Sequence, residues 1–247
     1  MVKKVRDSLV RTILDRIFQG KLRAGDRLPS IGALAREHGM SVASVREAIQ
    51  KLSLMGLVRI RQGGGTFLDE NIPSILEILD ARKYVEMATC LLAARNATDA
   101  ETAELDALVD GMREDFLRGD PVGFTRKDLV FHLAIGRMSR NVLLSAFLEN
   151  VEELLYYLQQ RTHMLKGTID RANRYHTLLA EAIRKRDGIA AQTVIAEHIE
   201  AVKRAWGAYD RNRGSRPGRR PLRRPVAART APGKEKSGAL RGGGSGR

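Results

Sequence analysis

The sequence predicts a mainly α-helical protein, with an N-terminal winged helix-turn-helix followed by an antiparallel all-α bundle of about six helices. Three observations carry this expectation. Short amphipathic helical patterns separated by glycine-containing turns fill the first 55 residues, and two β-type runs then flank Gln62-Gly63-Gly64-Gly65. Beyond Asn71-Ile72-Pro73 a helical pattern runs to about Tyr209 with only brief breaks. Long helical patterns joined by short loops pack as antiparallel neighbours.

In order along the chain, Val5, Leu9, Ile13 and Ile17 repeat every four residues and give a first helix one apolar stripe. Gly20 stops it, and Leu22–Pro29 reads as a turn, because glycine permits unusual backbone angles and proline forbids continuing the helix. Ser30 caps a short helix carrying Ile31, Leu34 and Ala35, and Gly39 breaks it. Ser41 caps the next, with Val45, Ala48, Ile49 and Leu52 on its apolar face and Met55-Gly56 at its end. Leu57–Ile60 and Thr66–Leu68 read as a hairpin. Helix, turn, helix and hairpin in this order make a winged helix-turn-helix.

Breaks near 96–99, 119–123, 139–141, 166–168 and 187–188 divide the remainder into six helices. The expected domains are 1–70 for the head, 71–210 for the bundle and 211–247 for a basic tail whose composition of Arg, Pro, Gly and Ala predicts disorder. Charge follows the same division. The head carries 13 Lys/Arg against 7 Asp/Glu, the bundle 18 against 21, and the tail 12 against 1. Only head and tail suit contact with phosphates.

Cys90 is the single cysteine, which excludes an intramolecular disulfide and a cysteine-only metal cluster, and inside Ala88–Ala94 it reads as a small core residue. No apolar run approaches the roughly 20 residues of a membrane helix. A cytoplasmic protein without membrane contact is expected.

The motifs carry a family resemblance. Gly20-x-Leu22-x-x-Gly25-Asp26-x-Leu28-Pro29-Ser30, Leu34-Ala35-x-x-x-Gly39-x-Ser41, Val45-Arg46-Glu47-Ala48, Leu52-x-x-x-Gly56-Leu57-Val58 and Gly65-Thr66-Phe67 resemble the DNA-binding domain of GntR-type regulators. Residues 77–208 resemble the helical FCD-type effector domain of the FadR-like branch. The resemblance there rests on Arg82-x-x-x-Glu86, Ala93-Ala94-Arg95-x-Ala97-Thr98, Asp128-x-x-Phe131-His132, Asn141, His176 and His198. It implies a homodimer, expected to be a repressor, that binds double-stranded operator DNA under control of a small ligand. Two-fold symmetry in the protein demands two half-sites in the DNA.

Arg46 lies in the first turns of the recognition helix, where arginine can bond guanine bidentately or remain ordinary surface charge. The matching arginine of the family contacts DNA. Ser41 and Ser44 are caps or phosphate contacts, and Gln62 and Gly63 sit at a wing tip that either approaches DNA or merely turns. The branch often has arginine where this chain has Gly32 and Val42, so a borrowed operator sequence does not follow. Arg36, Lys51, Arg59 and Arg61 are candidates for compensating phosphate contacts, or solvated charge.

Asp128 and His132, four apart, share a helix face and could bind one divalent ion or simply be solvated. His176 reads as opening a helix with Leu178, Leu179, Ala182 and Ile183, while His198 lies beside Ile195, Ile199 and Val202. Either is a ligand or a hydrogen-bonded core histidine. The resemblance implies that Asp128, His132, His176 and His198 form one metal site, with Zn²⁺ or Ni²⁺ the leading ions for such a donor set. It also implies a small carboxylate effector completing the metal's coordination. Arg82 would pair with that acid, or else form an exposed ion pair with Glu86. Asn141 is a further effector contact or a helix cap, and His38 and His163 read as structural or surface residues. Two other functions compete: a metal-dependent, hydrolase-like enzyme and a non-specific DNA-compacting protein. The sequence offers no general base beside the ligand set, so enzymatic activity is not expected.

Overall fold

The computed structural model describes residues 2–214, with side chains from Leu9 to Tyr209 and at Arg211. The head comprises α1 (Val2–Phe18), α2 (Ile31–His38), α3 (Val42–Leu54), β1 (Val58–Arg61) and β2 (Gly65–Leu68). Ser30 Oγ accepts from the Ala33 amide and Ser41 Oγ from the Ser44 amide, so each hydroxyl satisfies a backbone donor that a helix leaves open at its first turn. β1 and β2 pair antiparallel, Val58 opposite Leu68 and Arg61 opposite Gly65. The Leu22–Pro29 turn joins them, because Leu28 donates to Thr66 O at 2.9 Å and Leu68 to Asp26 O at 2.8 Å. Leu9, Ile13 and Ile17 of the expected stripe are buried with Leu34, Val45, Ile49, Leu52 and Leu68.

The remainder is α4 (Ile75–Asn96), α5 (Asp99–Arg118), α6 (Pro121–Met138), α7 (Val142–Asn150), α8 (Glu152–His163), α9 (Thr168–Arg184) and α10 (Gly188–Gly214). These are seven helices where five sequence breaks had implied six. The extra break falls at Val151, where the backbone reaches φ −100°, ψ 9° without glycine, proline or a capping side chain. Nothing in the local sequence marks it. α9 begins at Thr168, so His176 lies in mid-helix rather than at its start, and Leu178 faces outward while Leu179, Ala182 and Ile183 are buried. α10 runs on to Gly214, past the expected end of the bundle at 210, and the rest of the expected basic tail, 215–247, lies outside the described residues.

α6 is the central helix. Phe124, Thr125, Asp128, Phe131, His132 and Ile135 are all buried, and α4, α5, α7 and α8 pack around it. Gly136 on α6 permits the approach of α7, since a Cβ there would lie 2.9 Å from Leu148 Cδ1.

Head and bundle are not separate cores. Ile78 of α4 and Leu154, Tyr157 and Leu158 of α8 belong to the same apolar cluster as α1 and α3. Phe18 stacks on Tyr157 with ring centroids 5.5 Å apart. Arg11 Nε meets Glu153 at 2.9 Å, Lys51 Nζ meets Glu152 at 3.2 Å, and Arg161 pairs with Asp15. Leu158→Ala, removing a side chain 1% exposed, is expected to lower the unfolding free energy by about 2–5 kcal/mol, read by urea denaturation.

Candidate functional site

Two surfaces answer the sequence expectations. On the head, Arg46 projects exposed from the second turn of α3. Ser41 Oγ, besides capping, lies 2.9 Å from Ser44 Oγ, so both hydroxyls are engaged in the cap. Gln62 and Gly63 are exposed at the hairpin tip, where Gly63 takes φ +70°. Two of the compensating cations are committed elsewhere. Lys51 is tied to Glu152, and Arg59 to Asp69 at 3.1 Å and Glu70 at 2.8 Å. Arg36 is exposed on α2, its Nη1 3.7 Å from where a Cβ on Gly32 would stand, so its guanidinium lies over the position lacking the family's arginine. Arg27 joins them, without any local sequence signal. Its guanidinium and that of Arg61 lie over the Phe67 ring, at 5.8 and 4.8 Å from the centroid, and gather positive charge on the wing.

Inside the bundle, α6 supplies Asp128 and His132, α9 supplies His176 and α10 supplies His198, all at most 5% exposed. One nitrogen from each of His132, His176 and His198 lies within 4.8 Å of the others. Asp128 Oδ1 is 2.9 Å from His176 Nε2 and 3.3 Å from His132 Nε2. Yet Asp128 Oδ1 and both ring nitrogens of His132 and of His176 lack an aligned hydrogen bond. Potential ligand atoms thus crowd together without aligned hydrogen bonds between them. Phe124 and Phe131 wall the cluster, with the Phe131 centroid 5.0 Å from that of His176. His198 also lines a narrow cleft with Thr168, Arg171, Ala172, Ala201 and Val202.

Burial pushes the His176 imidazole down, partly opposed by Asp128, and holds His198 well below the ordinary histidine range. Both rings are therefore neutral, each with one N–H and one lone-pair nitrogen. Burial works to raise Asp128, but His176 and His132 outweigh it and keep this carboxylate well below its usual range, hence ionised. Burial also opposes ionisation of Glu86, but Arg82 and His132 overcome it and bring its pKa down to about 2. Two buried carboxylates thus face Arg82 and His132, whose imidazole burial pushes down but Glu86 and Asp128 together hold above the ordinary histidine range. A divalent ion would take the place of that proton among the three clustered imidazoles, with Asp128 beside them, so the donor set fits such a metal.

Around this set stand two residues whose part the sequence did not show. Glu86 bridges Arg82, with Nε to Oε1 at 2.5 Å, and His132, with Nδ1 to Oε2 at 2.6 Å. The Arg82–Glu86 pair is therefore buried, correcting the exposed pair expected from the spacing. Arg82 Nη2 remains buried without a partner. His163 is not isolated either. Its Nδ1 is 2.8 Å from Thr125 Oγ1 and its Nε2 3.6 Å from Asp128 Oδ2. It sits 35 residues from Asp128 on another helix, so no local spacing could reveal the contact. Asn141 is exposed, and its side-chain carbonyl caps α7 by accepting from the Leu143 and Leu144 amides, each at 3.1 Å. Its cap alternative is the one this geometry displays. His38 stays in the head beside Glu37, at 3.7 Å, and Cys90 is buried in the core.

The comparisons with known proteins agree with this architecture. The family model described as bacterial regulatory proteins, gntR family, matches residues 6–68, and that of the FCD domain matches residues 77–201. The chain is 28% identical over 215 residues to the HTH-type transcriptional regulator LutR of Bacillus subtilis, covering 78% of this chain and 97% of that protein. It is 26% identical over 232 residues to an Escherichia coli regulatory protein named for the L-lactate dehydrogenase operon, covering 84% and 88%. Among solved structures, E. coli McbR/YncC shares the fold with a TM-score of 0.61 at 21% identity, covering 84% of this chain and 98% of that one. No described helix is long and apolar enough to cross a membrane. A reading head matched by one model and a helical domain matched by the other, in a chain whose relatives are transcriptional regulators, make this chain a member of the GntR family with an FCD domain, a DNA-binding transcription regulator and not an enzyme.

Proposed function

We propose that the protein is a repressor acting as a homodimer on palindromic operator DNA, released or tightened by a small carboxylate bound in a metal-containing bundle. The observation that carries this reading is the buried convergence of His132, His176 and His198, with Asp128 against the first two and no aligned hydrogen bond at the ring nitrogens of His132 and His176. These four residues would hold one Zn²⁺ or Ni²⁺, and a bound ion would supply a Lewis-acid anchor for a carboxylate oxygen. Arg82 supports an acidic effector because its Nη2 is buried and unpartnered, and a buried guanidinium donor gains most from a carboxylate. The relative named for the L-lactate dehydrogenase operon points to the same ligand class, since lactate is a small carboxylate. Asn141, capping α7 at the surface, gives no such support.

On the head, Arg46 would read a base edge, with Ser41, Ser44, Gln62 and Gly63 positioning the backbone and the wing. Arg46 is the one arginine of α3. Operator sites selected from random duplexes allow a direct test. Arg46→Ala is expected to lose about 1–3 kcal/mol of discrimination between selected and scrambled DNA in gel shifts. Equal discrimination before and after the change would remove Arg46 from base readout.

A further inference from the structure

α8 touches both functional surfaces. Along its length Leu154, Tyr157 and Leu158 enter the apolar cluster of the head, while Glu152, Glu153 and Arg161 meet Lys51, Arg11 and Asp15. At its last residue, His163 reaches Thr125 and Asp128 of α6. The helix has 12 residues, hence a length of about 18 Å. The two ends differ. Val151 provides no side-chain cap, whereas next to His163 the Thr168 hydroxyl donates to Thr162 O at 2.7 Å and Trp206 Nε1 donates to the Thr162 hydroxyl at 2.8 Å.

The hydrogen bonds fix how His163 faces Asp128. The Thr125 hydroxyl donates to Pro121 O at 2.7 Å, so its oxygen accepts from His163 Nδ1 at 2.8 Å. Nδ1 therefore carries a proton. Nε2 faces Asp128 Oδ2 at 3.6 Å, beyond hydrogen-bond distance.

We infer that His163 is a positioning residue: its Nε2–Asp128 contact converts a change of charge at Asp128 into a change in the lie of α8, and so of the head packed on it. A cation drawing on Asp128 changes the charge that His163 Nε2 faces, which gives the two arrangements of α8 different energies, as any ligand-driven shift requires. The inference rests on the metal-holding reading above. A competing route runs through α4, which carries Ile78 in the head's core and Arg82 and Glu86 at the site.

Amide hydrogen exchange of the full chain with and without Zn²⁺ tests it, with zinc counted per chain in the same samples. In the wild type, zinc is expected to alter exchange in α8 and in α1, which α8 contacts, by about fivefold or more. His163→Ala and His163→Asn are expected to keep their zinc and to confine the response to α6, α9 and α10. The Asn amide lies near the Nδ1 position and keeps only the Thr125 contact. His163→Gln, whose amide extends to the Nε2 level, is expected to restore the α1 response. A merely structural anchor on Thr125 predicts the reverse order for Asn and Gln. If His163→Ala fails to fold, the Asn and Gln pair decides alone. An α1 response that persists in Ala and Asn assigns the route to α4 and overturns the inference, as does a zinc-loaded wild type with an unchanged α1. Loss of zinc in His163→Ala would make His163 a ligand instead. A wild type that takes up no zinc defeats the metal-holding reading itself.

Discussion

His176→Ala is expected to abolish stoichiometric metal binding and to lower the melting temperature by on the order of 10 °C when free metal exceeds its dissociation constant about a thousandfold. The size follows from mass action. A ligand bound only by the folded state at that excess stabilises it by about 4 kcal/mol, and a chain of this length shifts by roughly 2–4 °C per kcal/mol. His176 is fully buried between Phe124 and Phe131, so its removal also leaves a cavity. Comparing chelated wild type with chelated variant measures that cavity cost, and the metal-dependent difference is what remains. His163→Ala serves as the control, and is expected to retain metal. Should His163→Ala lose the ion while His176→Ala keeps it, the ligand assignment is wrong.

Glu86→Ala carries the second large effect. It would leave the Arg82 guanidinium, 5% exposed, without the carboxylate that now bonds its Nε, and would strip His132 Nδ1 of its acidic neighbour. Breaking a buried ion pair from one side costs about 3–5 kcal/mol, because the surviving charge stays desolvated. Urea denaturation of chelated protein is expected to show a loss of that order. The double change Arg82→Leu with Glu86→Leu is expected to recover most of it, since an apolar pair of similar volume leaves no charge stranded. A double variant as unstable as the single one would show that packing, rather than the unpaired charge, sets the loss.

How far the sequence reached can be traced residue by residue. The head was legible because its signals are local. Ser30 and Ser41 cap their helices, Gly39 takes a left-handed φ of +60°, and Leu9, Ile13 and Ile17 of the α1 stripe are buried. The bundle's breaks were legible where capping or glycine marks them, as at Thr98 with Glu101 and at Gly119. Val151 broke a helix with neither signal, so α7 and α8 read as one. In the site, the spacing of Asp128 and His132 placed them on one face, but only packing brings His176 and His198 to them from two further helices. Glu86 was visible merely as the fourth residue after Arg82. Its burial, which turns a surface pair into a bridge to His132, depends on α4 lying against α6. Lys51 looked available to phosphates because its partner Glu152 lies on α8, a pairing that leaves no trace in spacing along the chain, and Arg59 because Asp69 and Glu70 come beside it only once the hairpin closes.

The central claim is one divalent ion held by three imidazoles and a carboxylate. Anomalous X-ray diffraction at the zinc edge, from crystals of the full chain grown with Zn²⁺, tests it most directly. The account predicts one strong peak per chain inside the bundle, about 2.0–2.1 Å from a nitrogen of each of His132, His176 and His198 and adjacent to Asp128. A bundle with no peak among these residues, or a peak coordinated by others, would contradict it.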